Sequence, residues 1–312
     1  MRRKNSNTRC RTTFMKPFET LLAATDFSTT AGRACERAAL LAVQHNARLI
    51  LQHSLPGQAM KRLHARLLPG DAQTEVQLRD YFAAVLRQQA EEMAARWKID
   101  VIPLLTEGQP HREITRVERE SDVDLVVLGA MGEHPAREFF LGSTAERVVR
   151  EAAVPVLVVR NAPAEKYRRV LAALDLSLHG PAVAQLARGI APRARLTLAH
   201  AFEVPFEGKL QFAGVSEADI QRFRQEERQS ALEALRGMAQ GLSERPDIRV
   251  EFGMPEAAIP ALIQETAADL VVAGKHGKSE VIELLLGSMI KHLLREAACD
   301  VLVAPAVLEA RP

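Results

Sequence analysis

A single pattern occurs twice in this sequence, at an offset of 145 residues. Residues 124–129 read Asp-Leu-Val-Val-Leu-Gly, and residues 269–274 read Asp-Leu-Val-Val-Ala-Gly. The pair Gly142-Ser143 and the pair Gly287-Ser288 obey the same offset. Self-similarity over such a distance indicates one structural unit written twice. The length of 312 residues, about twice that of an average domain, agrees with two tandem domains.

Each copy alternates short apolar runs with longer amphipathic stretches, which is typical of βα units that build a parallel sheet. The predicted strands of the first copy lie near 20–25, 48–54, 99–105, 124–129 and 155–159, and its helices lie near 28–46, 75–97, 111–121 and 143–152. The predicted strands of the second copy lie near 169–174, 195–201, 248–253, 269–273 and 300–304. The strands are apolar at consecutive positions, so helices must cover both faces of the sheet. The sequence therefore predicts two tandem three-layer α/β/α domains.

The predicted organisation is a basic tail at 1–15, a first domain at 16–160, a linker at 161–167, a second domain at 168–306 and a tail at 307–312. We interpret the basic tail as a disordered extension or a start codon set upstream of Met15, with an arm that targets the chain or binds an anionic partner as the alternative. The last strand of each copy is strongly apolar, and such an edge aggregates unless something covers it. We therefore expect the two halves to pair through these strands, and a further homodimer is left open.

Charge and composition exclude several classes of function. The formal charge is +2, and without the tail 36 basic residues face 39 acidic ones, so there is no global electrostatic case for binding nucleic acid. No apolar run approaches the roughly 20 residues that cross a bilayer. Cys10, Cys35 and Cys299 have no CxxC spacing, which indicates neither a disulfide framework nor a thiolate metal site. We predict a cytoplasmic protein with no membrane or nucleic-acid partner.

The loop after the fourth strand of each copy carries the pattern most closely tied to chemistry. Two glycines are separated by nine intervening residues from a Gly-Ser pair. The residues are Gly129, Gly132, Gly142 and Ser143 in the first copy and Gly274, Gly277, Gly287 and Ser288 in the second. Ligands of open parallel sheets bind at the carboxyl ends of the strands. Glycines expose backbone N–H groups to a polyphosphate, and the helix that begins at the serine adds a positive dipole end. The alternative is that these glycines only permit tight turns and close helix packing.

These loops, with the early segments Ala24-Thr-Asp26-Phe-Ser28 and Ala173-Leu-Asp175-Leu-Ser177, make the chain resemble a tandem member of the universal stress protein family. The resemblance covers nearly all of residues 16–305, and the complete glycine pattern marks the ATP-binding branch. It implies a five-stranded parallel sheet in the order 3-2-1-4-5, as in adenine nucleotide alpha hydrolases, and pairing through the last strand. It also implies ATP, with or without Mg²⁺, as the ligand, and a role in the stress response as a nucleotide sensor or regulator with an unidentified protein partner.

The resemblance also assigns roles to individual residues. Asp26 and Asp175 are expected beside the nucleoside, although a role in capping the next helix is the open alternative. The backbone at Ser54 and Ala201 is expected beside the adenine. The residues expected to hold the phosphates are Gly129, Gly132, Gly142, Ser143, Thr144, Gly274, Lys275, Gly277, Gly287 and Ser288.

The two copies differ in charge around this loop. Lys275 and Lys278 of the second copy are equivalent to Ala130 and Glu133 of the first. Because lysines attract a triphosphate and a glutamate repels it, we predict tighter nucleotide binding in the C-terminal half. No P-loop string occurs, and no general base is evident near the loops, so an enzyme is the less favoured class. Slow ATP hydrolysis and a pocket for a non-nucleotide ligand remain as alternatives.

Overall fold

The computed structural model describes residues 18–55, 72–131, 141–204, 207, 209, 213–275 and 286–306. Both predicted tails, at 1–15 and 307–312, lie outside these ranges. Among the described helices, none is long and apolar enough to span a bilayer.

The elements follow the predicted order in each half. The strands of the first half are β1 (Thr20–Ala24), β2 (Arg48–Leu55), β3 (Val101–Glu107), β4 (Leu125–Gly129) and β5 (Val156–Val159), and its described helices are α1 (Thr29–His45), α2 (Ala72–Trp97), α3 (Pro110–Glu120) and α4 (Ser143–Glu151). The strands of the second half are β6 (Arg169–Ala173), β7 (Arg195–Phe202), β8 (Asp247–Phe252), β9 (Leu270–Gly274) and β10 (Asp300–Ala304), and its described helices are α5 (Gly180–Ile190), α6 (Glu217–Ala239), α7 (Pro255–Thr266) and α8 (Ser288–Glu296).

All ten strands form one sheet in the order β3-β2-β1-β4-β5-β10-β9-β6-β7-β8. Each half has the order 3-2-1-4-5 with parallel neighbours, which confirms the predicted fold class. The two halves meet where β5 pairs antiparallel with β10, with Leu157 opposite Leu302. The predicted pairing of the last strands is therefore confirmed, and it covers both of the edges that would otherwise be exposed.

Two hydrophobic layers enclose this sheet, and each contains residues from both halves. One layer packs α1, α2, α5 and α6 on the strands, with buried residues such as Leu41 and Leu186. The other packs α3, α4, α7 and α8 on the opposite face, with buried residues such as Val148 and Leu293. Because each core contains residues of both halves, burial of apolar surface holds the two halves together as one unit.

A buried polar network stabilises the interface between the two halves. The carboxylate of Asp300 on β10 is 1% exposed; it pairs with Arg37 of α1 at 3.3 Å and accepts hydrogen bonds from the Tyr167 hydroxyl (2.6 Å) and the Arg160 amide (2.9 Å). Burial raises the pKa of Tyr167 well above its usual value, which keeps its hydroxyl protonated as a donor. The guanidinium of Arg37 also stacks on the Tyr167 ring, 4.0 Å from its centre.

Candidate functional site

A cavity of about 320 Å³ opens at the carboxyl ends of β1, β2 and β4 in the N-terminal half. Six of the predicted site residues line it, namely Asp26, Ser54, Gly129, Gly142, Ser143 and Thr144. Residues that the sequence analysis did not select also line it, including Thr25, Gln52, Met131, Pro110 and Ile114. The structure therefore brings residues from five separate segments of the chain to one concave site of the size that binds small molecules.

The N-terminus of α4 forms one wall of the cavity. Its N-cap residue, Gly142, provides no capping side chain, and the first hydrogen bond of the helix runs from the Glu146 amide to the Gly142 carbonyl at 3.0 Å. The amides of Ser143, Thr144 and Ala145 precede that bond and have no acceptor within the helix. Three N–H groups and the positive end of the helix dipole therefore favour an anion here.

The glycines at the two N-caps do not act as predicted. The Gly142 amide donates to the Ala130 carbonyl at 2.8 Å, and the Gly287 amide donates to the Lys275 carbonyl at 3.3 Å. Both glycines have φ near −60° and an extended ψ, so neither needs the left-handed conformation. The expectation that these two amides bind phosphate is wrong for this structure, because each already closes the base of its own loop.

Gly129 has a packing role beside its position in the cavity wall. A Cβ atom added there lies 3.0 Å from the Thr30 carbonyl oxygen and 3.3 Å from the Ala31 amide nitrogen, at the first turn of α1. The Thr30 hydroxyl also donates to the Met131 carbonyl at 2.7 Å, which ties α1 to the start of the loop. The alternative of close helix packing therefore holds at this position.

Asp26 and Asp175 hold equivalent turns between the first strand and first helix of each half. Each carboxylate accepts from an amide two residues ahead, Ser28 or Ser177, at 3.1 Å. The helix cap of α1 is Ser28 itself, whose hydroxyl accepts from the Ala31 amide at 3.2 Å. Asp26 therefore shapes the turn, and Ser28 caps the helix. The Asp26 carboxylate is the one acidic group among the described residues that line the cavity.

The two strand-end histidines have the same structural role in each half. His53 Nδ1 lies 2.7 Å from the Thr25 carbonyl oxygen, and His200 Nδ1 lies 2.7 Å from the Leu174 carbonyl oxygen. Each ring therefore ties the second strand of its half to the end of the first strand. Among the residues that the structure describes, no group of three or more histidine, cysteine or acidic side chains is arranged to hold a metal ion.

A polar cluster on β2 and β3 contains the predicted residue Ser54 and two residues that the sequence analysis missed, Gln52 and Thr106. Gln52 Nε2 lies 3.1 Å from the Thr106 hydroxyl oxygen, which lies 3.0 Å from the Ser54 hydroxyl oxygen. At the equivalent positions the second half has Ala199, Ala201 and, for Thr106, Glu251. Comparing the two copies position by position would have revealed this difference, because the histidine between the first two positions is common to both.

The equivalent region of the C-terminal half contains a carboxylate where the first half has a histidine. Asp175, Ala201, Gly274, Gly287 and Ser288 lie at the carboxyl ends of β6, β7 and β9 and at the start of α8. The hydroxyl of Ser288 donates to the Glu256 carboxylate and holds the pKa of Glu256 below its usual value. Glu256 therefore puts a negative charge beside the helix N-terminus that was predicted to bind phosphate. His111 occupies the equivalent position in the first half.

Lys275 points away from the predicted phosphate site. Its side chain is buried, and its ammonium donates to the Arg150 carbonyl at the last turn of α4 in the other half. Burial lowers the pKa of Lys275, while the charges of Glu118 and Glu151 act to raise it. The expectation that Lys275 attracts phosphate is wrong for this structure, because its charge stabilises the C-terminal end of an N-terminal-half helix.

The remaining predicted positions lie outside the described residues. They are Gly132 and Gly277, together with Glu133 and Lys278, whose charges entered the predicted ranking of the two halves. The ranking stays a prediction as far as Glu133 and Lys278 are concerned, whereas the described contacts of Lys275 and Glu256 argue against it.

Comparison with known proteins agrees with the fold and the repeat. The sequence model of the universal stress protein family matches residues 17–160 and again residues 166–305. The chain belongs to this family. A universal stress protein of Mycobacterium tuberculosis is 29% identical over 201 residues, which cover 61% of this chain and 64% of that relative. This chain thus matches less than two thirds of that relative's length. A universal stress protein of Thermus aquaticus is 34% identical over 143 residues, covering 46% of this chain and 99% of the relative.

Solved structures show the same two-domain fold. A universal stress protein from Archaeoglobus fulgidus superimposes with a TM-score of 0.65 at 19% identity, covering 92% of this chain and 97% of that one. A protein of unknown function from Pseudomonas aeruginosa gives a TM-score of 0.64 at 21% identity, covering 92% of both chains. At these identities the likeness concerns the fold alone.

Proposed function

We propose that this universal stress protein binds an adenine nucleotide, ATP, in its N-terminal half and regulates a stress response through that binding. The observation that carries the proposal is the uncapped N-terminus of α4 in the wall of a cavity lined by Asp26 and Ser54. Amides of Ser143, Thr144 and Ala145 suit phosphate oxygens. The Asp26 carboxylate suits ribose hydroxyls or a magnesium ion that accompanies the nucleotide.

The proposal assigns the main site to the N-terminal half, which reverses the ranking predicted from the sequence. In the C-terminal half the carboxylate of Glu256 already accepts from the Ser288 hydroxyl, and a carboxylate repels phosphate. The ammonium of Lys275 is engaged with Arg150 of the other half. One nucleotide per chain at low concentration is therefore the expected stoichiometry.

The proposal includes the reducing, cytoplasmic setting predicted from the cysteines. Cys35 and Cys299 are free and buried, and burial raises the pKa of each thiol to about 12, so neither is reactive. These properties support a protein that does not depend on disulfides.

Two matched proline variants test the proposal. Ser143→Pro removes one amide of the α4 N-terminus, and proline is well tolerated at the first position of a helix. Gly142 already has the extended conformation that a following proline requires, and Gly287 has it before Ser288 in the second half. Ser288→Pro is therefore the control in the other half.

Isothermal titration calorimetry with ATP gives the readout. We expect Ser143→Pro to weaken ATP binding roughly tenfold to a hundredfold, since a hydrogen bond to a charged group is worth about 1.5–3 kcal/mol, and we expect Ser288→Pro to bind like the unmodified protein. An unmodified protein that binds no ATP refutes the proposal. A loss confined to Ser288→Pro refutes the assignment to the N-terminal half and restores the original ranking.

A further inference from the structure

Gln52 carries a buried hydrogen-bonding atom that the protein leaves unused. The residue is 1% exposed and lines the cavity, and its Oε1 atom is buried with no hydrogen-bond partner among the described residues. An unpaired buried acceptor destabilises a protein, and most buried polar groups in proteins are paired. An unpaired atom of a residue that lines the cavity requires an explanation.

The fold itself does not require glutamine at this position. The equivalent residue of β7 is Ala199, which is 0% exposed and packs in the same kind of core. The backbone pairing is also equivalent, because β1 pairs Ala24 with Gln52 and β6 pairs Ala173 with Ala199. One half thus builds the same sheet with a small apolar residue, so the glutamine of the other half serves something besides folding.

The surrounding hydroxyl groups set the orientation of the Gln52 amide. The Thr106 hydroxyl donates to the His53 carbonyl at 3.4 Å, so its oxygen remains free to accept from Gln52 Nε2 at 3.1 Å. Nε2 also lies 3.4 Å from the Ser54 hydroxyl oxygen. The amide nitrogen is therefore occupied on the protein side, and the carbonyl oxygen is the group left for a ligand that donates a proton.

The sheet order determines which end of a nucleotide meets Gln52. The N-terminus of α4 follows β4, whereas Gln52 lies on β2, two strands away across β1. Strands are spaced about 4.8 Å apart, so roughly 10 Å separates the anion site from Gln52 across the sheet. A ligand with its phosphates at Ser143 therefore extends its opposite end, the base, toward Gln52.

We infer that Gln52 selects the base, and that its side-chain carbonyl accepts a hydrogen bond from the 6-amino group of adenine. This inference rests on the proposed function. Adenine carries an amino donor at the 6 position, whereas guanine and hypoxanthine carry a carbonyl oxygen there. Two carbonyl oxygens repel each other, so the site discriminates against bases with oxygen at that position.

The test compares ATP with inosine triphosphate, which has the carbonyl oxygen at the 6 position. Calorimetric titrations use the full chain, its Gln52→Met variant, which keeps the side-chain length without the amide, and its Gln52→Ala variant, which copies the second half. We expect the unmodified protein to prefer ATP by about tenfold, the value of one well-formed hydrogen bond. In both variants the preference should fall to about twofold or less.

Urea unfolding of the same variants checks that they fold. Relief of the unpaired carbonyl offsets the lost Nε2 hydrogen bond to Thr106, so we expect Gln52→Met to unfold at nearly the same urea concentration as the unmodified chain. Gln52→Ala also leaves a cavity and should unfold at a lower urea concentration while remaining folded in its absence. A preference for ATP that is unchanged in both variants overturns the assignment of Gln52 while leaving the proposed function intact. An unmodified protein that binds neither nucleotide refutes the proposed function, and the assignment of Gln52 falls with it.

Discussion

The two halves of this protein have the same scaffold and different sites. The strand order, the turn at Asp26 or Asp175 and the histidine at the end of the second strand are common to both halves. The cavity wall differs between the halves, because Gln52 and Ser54 of the first half correspond to Ala199 and Ala201 of the second. The residues that build the sheet, the turn and the histidine are thus retained in both copies, whereas the polar side chains of Gln52 and Ser54 are specific to one.

The comparison also shows that a loop motif does not fix the electrostatics around it. Both loops end in Gly-Ser at a helix N-terminus, but the neighbouring helix contributes His111 in the first half and Glu256 in the second. Burial lowers the pKa of His111, and the nearby Glu151 charge acts to raise it. An anion site therefore depends on residues that lie some thirty positions away along the chain and adjacent in space.

The largest effect is expected where the second half anchors the first. Asp300→Ala removes a carboxylate that pairs with the buried Arg37 and accepts from Tyr167, whereas the equivalent residue of the first half is Pro155. Leaving a buried charge unpaired costs about 3–5 kcal/mol, so the free energy of unfolding in urea should fall by that amount. Asp247→Ala, which removes an exposed partner of Arg195, is the control and should have a far smaller effect because solvent screens both charges. Equal effects would contradict the anchoring role.

A smaller effect is expected at the glycine that separates β4 from α1. Gly129→Ala brings a Cβ atom to 3.0 Å from the Thr30 carbonyl, and overpacking of this kind costs about 1–3 kcal/mol. Gly32→Ala in α1 is the matched control, because no atom lies within 4 Å of its added Cβ and alanine favours a helix by up to about 1 kcal/mol. Thermal unfolding should move in opposite directions for the two variants. A stabilising Gly129→Ala would show that α1 yields easily at this contact.

The charge at position 256 offers a direct way to make the halves more alike. Glu256→Gln removes the carboxylate beside Ser288, so we expect the affinity of the second half for ATP to rise by a few fold, with the gain reduced at high salt. Calorimetry in the Ser143→Pro background isolates this second site. An affinity that does not change would mean that the apolar wall at Ala199 and Ala201, and not the charge, limits binding in this half.

The smallest effect concerns pH. The hydrogen bond from Ser288 lowers the pKa of Glu256 below 4.5, so the ionised carboxylate stabilises the fold above that pH and loses this effect as the pH falls through its lowered pKa. We expect the unmodified chain to exceed Glu256→Gln in unfolding free energy by less than about 1 kcal/mol near neutral pH. The difference should vanish in acid, as measured by urea unfolding across the pH range. A difference that grows as the pH falls would contradict the sign.

Most of the fold was predictable because its signals are local. The apolar runs gave each strand to within two residues; β3, for example, was predicted at 99–105 and observed at Val101–Glu107. The pairing of β5 with β10 followed from the need to cover two apolar edges. The site was predictable as a region, since six of the predicted residues line the cavity. The contacts of individual atoms were not predictable. The Gly142 amide donates to the Ala130 carbonyl, and the Lys275 ammonium donates to the Arg150 carbonyl.

The sequence by itself determined that one α/β unit occurs twice and that each unit forms a parallel sheet, and it predicted a ligand site beyond the fourth strand. These properties follow from periodicity, spacing and residue type, which are local along the chain. Only the tertiary structure showed which of the predicted binding groups already have partners within the protein. The Lys275 ammonium has its acceptor at Arg150, and the Ser288 hydroxyl has its acceptor at Glu256. Such partners are distant in sequence, and burial strengthens the contact of Lys275 enough to remove its ammonium from ligand binding.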